Sequence, residues 1–198
     1  MTDTAPEHDS LLSEAGRIDQ AVYAAVASTD SPRLDASMRR LSAAANYSRL
    51  SIGASAVLAL GGGAKGRRAA AFGLTAVAAT SAMVNLVVKP FSHRRRPDRA
   101  AQDVPAVRHV PMPTSRSFPS GHTAAAVAFA SGAGSVIPAA SIPLHSLAAL
   151  VGYSRVHTGV HYPGDVVAGA VIGAVIGDLT VGVLASRWPP AAAPGKRA

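Results

Sequence analysis

The chain of 198 residues carries 19 Lys and Arg against 11 Asp and Glu, a formal charge of +8, with 48% hydrophobic but only 15% charged residues. A charged fraction below the roughly 25% of soluble domains excludes a basic nucleic-acid binder, whose many cations would spread over a solvated face, so no nucleic-acid partner is expected. The lack of cysteine excludes disulfides, Cys-ligated zinc and a thiol nucleophile, and leaves seven histidines as the side chains that titrate near neutrality.

Residues 1–45 mix acids and arginines in a water-facing composition, and no secretory signal with a sustained apolar core stands at the start. Leu11, Ala15, Ile18, Val22 and Ala25 recur at helical spacing, and Leu34, Met38 and Leu41 repeat the pattern after Ser31-Pro32. Two amphipathic helices are predicted here, packed on the protein's own bundle in preference to a membrane surface. They form the first of three expected segments: 1–45 amphipathic, 46–188 membrane-embedded, 189–198 a flexible tail.

Charge then disappears. Residues 69–88 contain none over 20 positions, the length of a helix crossing the hydrocarbon core, and residues 166–186 are interrupted only by Asp178. Residues 50–63 reach that length only if their helix begins near Ala43 with Asn46 and Arg49 at the interface. Residues 123–137 and 142–153, hinged at Pro138 and Pro143, are rich in Gly and Ala, which let helix backbones approach closely inside a membrane bundle. The predicted fold class is all-α, an integral membrane helical bundle of about five spans.

The loop from 89 to 122 holds seven cations and six prolines, and a loop this long is functional or disordered. For Arg94, Arg95, Arg99, Arg108 and Arg116 the expected role is a solvated juxtamembrane cluster. Three pieces at span ends stand apart: KPFSHRRRP (89–97), PSGH (119–122) and SRVHTGVHYPGD (154–165). If the intervening spans return the chain to one face, these pieces meet. They would supply three fixed cations, two histidines, a carboxylate and a Ser-Gly turn opening a helix, a set suited to phosphoryl transfer without a metal.

The pattern Lys-x6-Arg-Pro, Pro-Ser-Gly-His and Ser-Arg-x5-His-x3-Asp resembles the signature of the type 2 phosphatidic acid phosphatase superfamily, with every fixed position filled. The resemblance implies His161 as the nucleophile, Asp165 as its orienting partner, and His122 as general acid and then base. It implies phosphate binding by Lys89, Arg96, Arg155, Ser120 and Gly121. No cofactor and no metal are expected. His157, His161 and Asp165 have i, i+4, i+8 spacing that would align three ligands on a helix, but Gly159, Pro163 and Gly164 argue against a continuous helix there. The remaining histidines, His8, His93, His109, His145 and His157, read as structural or interfacial.

The function expected is a membrane lipid phosphatase working through a phosphohistidine in the bacterial plasma membrane, its partners the bilayer and a lipid phosphate. The small size, polar N-terminal helices and Ala/Arg-rich composition resemble small actinobacterial family members, which implies decaprenylphosphoryl-5-phosphoribose as substrate. Phosphatidic acid, phosphatidylglycerophosphate and undecaprenyl diphosphate are the alternatives, and a non-catalytic anionic-lipid binder is the competing class. Cation counts place the catalytic loops on the cytoplasmic side by the positive-inside rule. The sequence does not specify an oligomeric state.

Overall fold

The computed structural model describes residues 5–189, with side chains from residue 13 onward; the side chain of Leu11 and the tail beyond Pro189 lie outside the described residues. Every regular element among them is helical. Two helices, α1 (Ala5–Ser28) and α2 (Pro32–Ala44), precede a bundle of α3 (Arg49–Gly61), α4 (Gly63–Phe91), α5 (Gly121–Val136), α6 (Pro138–His157) and α7 (Pro163–Arg187).

Central in the bundle is α5, which packs against α4, α6 and α7, while α3 leans on α4. Its small residues make this possible: Ala124, Ala128, Ala130 and Ala133 have no exposed surface. Gly169, Gly173 and Gly177 form a stripe on α7 that meets Ser120, Ala124 and Ala128 of α5. A Cβ on Gly173 would stand 2.3 Å from the Ala124 carbonyl oxygen, and one on Gly169 2.5 Å from that of Ser120. The α5–α7 contact is therefore backbone against backbone, the close approach that small residues permit between helices.

The opposite face of α7 is apolar and open, with Val167, Val171, Val175, Leu179 and Val183 each between 52 and 63% exposed. Both α4 and α7 are long and apolar enough to cross a membrane, yet only 33% and 17% of their most apolar stretches is buried inside the protein. A soluble core helix would turn such surface inward.

Two helix boundaries differ from the sequence reading. The helix expected to begin near Ala43 is interrupted, because Tyr47 and Ser48 both adopt left-handed backbone (φ 56°), so α3 starts only at Arg49 and its 13 residues span about 20 Å. No Gly or Pro marks this break. Pro143 does not hinge two segments; α6 begins at Pro138 and runs through it.

The N-terminal helices rest on the bundle, α1 against α6 and α7 and α2 against α6, with Tyr23, Ala27, Val104 and Val156 forming a shared apolar cluster. Their acids are not all water-facing, since Asp19 and Asp35 are buried. Asp35 accepts hydrogen bonds from Arg108 Nε (2.8 Å) and pairs with His157 Nε2 (2.9 Å). Arg108 also donates to the carbonyls of Val26, Ala27 and Thr29 at the end of α1. This corrects the reading of Arg108 as a solvated cation: unpaired carbonyls at a helix end attract a buried guanidinium.

The α5–α7 contact leads to a direct test. Gly173→Ala should destabilise the protein by about 1–3 kcal/mol through overpacking, whereas Gly182→Ala, with no atom within 4 Å of the added Cβ, should leave the thermal unfolding midpoint in detergent unchanged.

Candidate active site

The three sequence pieces meet at one end of the bundle. Lys89 ends the long α4, Gly121 opens α5, Arg155 lies in the last turn of α6, and Asp165 falls in the first turn of α7. His161 sits in the tight connection between α6 and α7, whose amide donates to the Arg155 carbonyl (3.2 Å). This connection also separates the three residues with i, i+4, i+8 spacing. Helix α6 stops at His157 and α7 restarts at Pro163, so His157 turns to Asp35 and His161 to Asp165. Among the described residues no group of three His, Asp or Glu side chains is arranged to hold a metal ion.

Asp165 has no exposed surface. Its Oδ2 pairs with His161 Nδ1 (3.4 Å), accepts from the Tyr162 amide (3.0 Å) and from the Ser117 hydroxyl, and its Oδ1 accepts from Arg94 Nη1 (3.1 Å). On the other side of the imidazole, Arg96 Nη1 lies 3.2 Å from His161 Nε2. A guanidinium only donates, so Nε2 must present its lone pair and the ring proton must sit on Nδ1, toward Asp165. Burial pushes His161 down from 6.5 to about 4, against the opposing pull of Asp165, and Arg96 and Arg155 push in the same direction as burial. The ring is neutral at pH 7, with its bare nitrogen facing the cations.

Those cations are held by the protein backbone and by serine. Arg96 donates to the carbonyls of Ser115 (2.9 Å) and Val160 (2.7 Å) and to the Ser115 hydroxyl (3.2 Å), which also accepts from Lys89 Nζ (3.2 Å). Buried Arg155 donates through Nη1 to the Ser42 hydroxyl (2.6 Å) and carbonyl (3.1 Å), and its buried Nε has no partner among the described residues. Lys89, Arg96 and Arg155 act electrostatically on one another and, with His161, on His122. Three like charges gathered this closely, with Asp165 as their nearby carboxylate, make a site for a multiply charged anion.

The PSGH turn meets this cluster. Ser120 Oγ accepts from the Thr123 amide (3.4 Å) and shares a hydrogen bond with Thr123 Oγ1 (2.9 Å), while the Ser120 amide donates to the Asp165 carbonyl (2.8 Å). The Ser120 side chain thus caps α5 and is fully enclosed. The amides of Gly121 and His122, ahead of the helix's own ladder, are the groups of this turn suited to an anion. A Cβ on Gly121 would lie 3.7 Å from Lys89 Nζ, so the turn and the lysine flank the same space. His122 Nε2 is 2.9 Å from Asn46 Oδ1.

Several residues that the sequence did not single out support the site. Asp19 of α1 accepts from the Gly164 amide (2.6 Å) and pairs with Arg94, which in turn reaches Asp165. Ser42 holds Arg155, Asn46 meets His122, and Ser115 and Ser117 brace the cations and the carboxylate. Arg94 and Arg99 are engaged as well, the latter with the carbonyls of Val110 (2.9 Å) and Gly159 (3.4 Å). The only sequence signal for Ser115 and Ser117 is their proximity to PSGH; Asp19, Ser42 and Asn46 have none.

Residues 70–189 match the PAP2 superfamily, and the chain belongs to that family. It is 37% identical over 164 residues to the decaprenylphosphoryl-5-phosphoribose phosphatase of Mycolicibacterium smegmatis, covering 80% of this chain and 84% of the relative. The protein of the same name from Mycobacterium tuberculosis is 34% identical over 108 residues, 52% of this chain. That match spans 55%, about half, of the relative's length. Among solved structures, the transmembrane PAP2 type phosphatidylglycerolphosphate phosphatase of Bacillus subtilis superposes with a TM-score of 0.66 at 25% identity, covering 86% of both chains. LpxE of Aquifex aeolicus gives 0.67 at 25% identity over 83% of this chain and 95% of its own.

The depressed pKa of His161 has a readout in solution. Protonation of Nε2 removes the lone pair that faces the cations, so kcat/KM should rise with pH through about 4 and His161 should not limit activity above it. Stability should fall over the window from 6.5 down to about 4, where the unfolded chain takes up the proton that the folded site refuses. A stability that does not fall between pH 6.5 and about 4, or falls equally in His161→Ala protein, would contradict this.

Proposed function

We propose that the protein is a metal-independent phosphatase of lipid phosphates that works through a phosphohistidine. The observation that carries the reading is His161, neutral, with its Nε2 bare and 3.2 Å from Arg96. A binder of anionic lipids needs the cations, but it has no use for a histidine oriented by a buried carboxylate.

In the proposed reaction Lys89, Arg96, Arg155 and the amides of Gly121 and His122 hold the non-bridging phosphate oxygens and neutralise the charge that builds on them. His161 Nε2 forms a bond to phosphorus as the bond to the leaving oxygen breaks, and His122 gives that oxygen its proton. Asp165 stabilises the resulting charged ring through Nδ1–H. His122 then takes a proton from water, the water oxygen bonds to phosphorus, the N–P bond breaks, and phosphate departs.

The relatives' names support a polyprenyl-linked phosphoribose as substrate. One relative, 41% identical over 75 residues, is an undecaprenyl-diphosphatase from Sulfolobus acidocaldarius, which keeps a diphosphate as the alternative. Five helices, α3 to α7, would lie in the bacterial plasma membrane, with residues 46–188 as the embedded unit. Exposed apolar residues on α3 (Ile52, Val57, Leu60), α6 (Ile142, Leu150) and α7 support that reading.

Purified full-length protein should release phosphate from a lipid phosphate in the presence of chelator and be inhibited by vanadate, which mimics pentacoordinate phosphorus. Loss of activity on chelation, restored by a divalent ion, would contradict the mechanism. His161→Ala should abolish turnover of every ester. His122→Ala should lose about 100-fold to 10,000-fold on alkyl esters and recover part of that loss on an aryl phosphate, whose leaving oxygen needs less protonation. For topology, cysteines replacing exposed Lys65 and Ala106 should label from opposite sides of sealed vesicles; equal labelling of both from one side would rule out the arrangement.

A further inference from the structure

Behind His161 runs a line of alternating charge. Asp165 pairs with the ring at Nδ1, Arg94 Nη1 donates to Asp165 Oδ1 at 3.1 Å, and Arg94 Nη2 pairs with Asp19 of α1. Among the described residues these two are the acids that Arg94 meets. Asp98, the next acid along its loop, accepts instead from the amides of Ala100 and Ala101. The Arg94 guanidinium also lies over the Tyr162 ring, 4.5 Å from its centroid, beside the residue whose amide donates to Asp165.

Asp19 is buried, and a carboxylate removed from water needs a partner for each oxygen. Its Oδ1 accepts from the Gly164 amide at 2.6 Å, in the first turn of α7, and its Oδ2 meets Arg94. A Cβ on Gly164 would stand 3.0 Å from Asp19 Oδ2, so α1 approaches the start of α7 closely at this point. In the phosphohistidine reaction, on which this inference rests, His161 Nε2 bonds to phosphorus as the bond to the leaving oxygen breaks, and that oxygen takes its proton from His122. Nδ1 keeps its own proton, so the ring becomes a cation. The charge of Asp165 stabilises that cation, and a guanidinium 3.1 Å from the carboxylate opposes the stabilisation. With Asp19 the line holds two carboxylates against one guanidinium and is negative. Without the charge of Asp19 it is neutral.

We propose that Asp19 is a positioning residue for phosphoryl transfer: by pairing with Arg94 it offsets that guanidinium, so that Arg94 can brace Asp165 while the charge of Asp165 still serves the phosphorylated His161 ring. A helix outside the 70–189 family match thereby contributes a charge to the reaction without touching substrate. Capping the start of α7 is a second role of the same side chain, since the Gly164 amide has no partner within its own helix at that position. The two roles differ in what they need. Capping requires an acceptor oxygen, and the effect on His161 requires a negative charge.

Asp19→Asn separates them, because the carboxamide oxygen can still accept from the Gly164 amide while the charge is gone. With p-nitrophenyl phosphate as substrate for the full-length protein in detergent, kcat/KM should fall by about 10-fold. The inhibition constant of inorganic phosphate, which Lys89, Arg96 and Arg155 would hold, should be no weaker than in the wild type. Adding Arg94→Gln to Asp19→Asn removes the opposing cation and should raise kcat/KM again by at least about threefold. A packing role alone predicts the reverse, a second loss added to the first. Wild-type kcat/KM in Asp19→Asn, a loss matched by weaker phosphate inhibition, or a double variant no faster than the single would overturn the proposal while leaving the phosphatase reading intact. Should Asp19→Asn fail to fold, the double variant decides: kcat/KM within about fivefold of the wild type supports the proposal, and a larger loss overturns it. Wild-type protein that releases no phosphate from the aryl ester or from a lipid phosphate would overturn the phosphatase reading and this inference with it.

Discussion

The site depends on one buried carboxylate. Asp165 joins three parts of the chain: Arg94 and Ser117 from the long loop, His161 and the Tyr162 amide from the α6–α7 connection, and, through its backbone carbonyl, the Ser120 amide at the start of α5. An ionised carboxylate without exposed surface is tolerated only when its lone pairs are met. The donors that meet them are the groups that set the imidazole, the α5 cap and the loop in place. The glycine stripe of α7 acts in the same direction, because Gly169 brings the Ser120 turn against α7 one turn beyond Asp165.

Around this centre the charge balance is deliberately uneven. Arg96 and Arg155 are anchored on neutral carbonyls and hydroxyls, and Lys89 on a serine hydroxyl. Anchoring on dipoles fixes a cation's position without cancelling its charge, so the three remain able to attract a phosphate. The acids nearby are assigned elsewhere, Asp19 to Arg94 and the Gly164 amide and Asp35 to Arg108 and His157. The N-terminal helices, which lie outside the 70–189 family match, thereby reach the site at Asp19 and Ser42, and Asn46 reaches it just beyond the end of α2. The connection between this end of the bundle and the N-terminal helices is electrostatic as much as apolar.

Much of this was legible in the sequence, for identifiable reasons. A helical class followed from long uncharged runs, and the eight candidate residues stood out through the resemblance of their pattern to a family signature, whose three pieces the structure brings to one end of the bundle. Pro163 and Asp165 marked the start of α7 through helix-start preferences. Other features were invisible because tertiary contacts create them. Arg108 looks like any loop arginine until the end of α1 is placed over it, and Asp19 like any polar-face acid until Arg94 arrives. The break at Tyr47 and Ser48 carries no Gly or Pro, and the capping of α5 by the Ser120 hydroxyl is a second role beside the phosphate contact that the resemblance implies.

The most direct measurement on the central claim is the site of covalent phosphate. His122→Ala protein, exposed briefly to an aryl phosphate labelled at phosphorus and quenched in alkali, should carry acid-labile label on the peptide containing His161, with none on His161→Ala protein treated in the same way. Label on another residue, or single-turnover hydrolysis at the wild-type rate by His161→Ala protein with no labelled intermediate, would contradict the account.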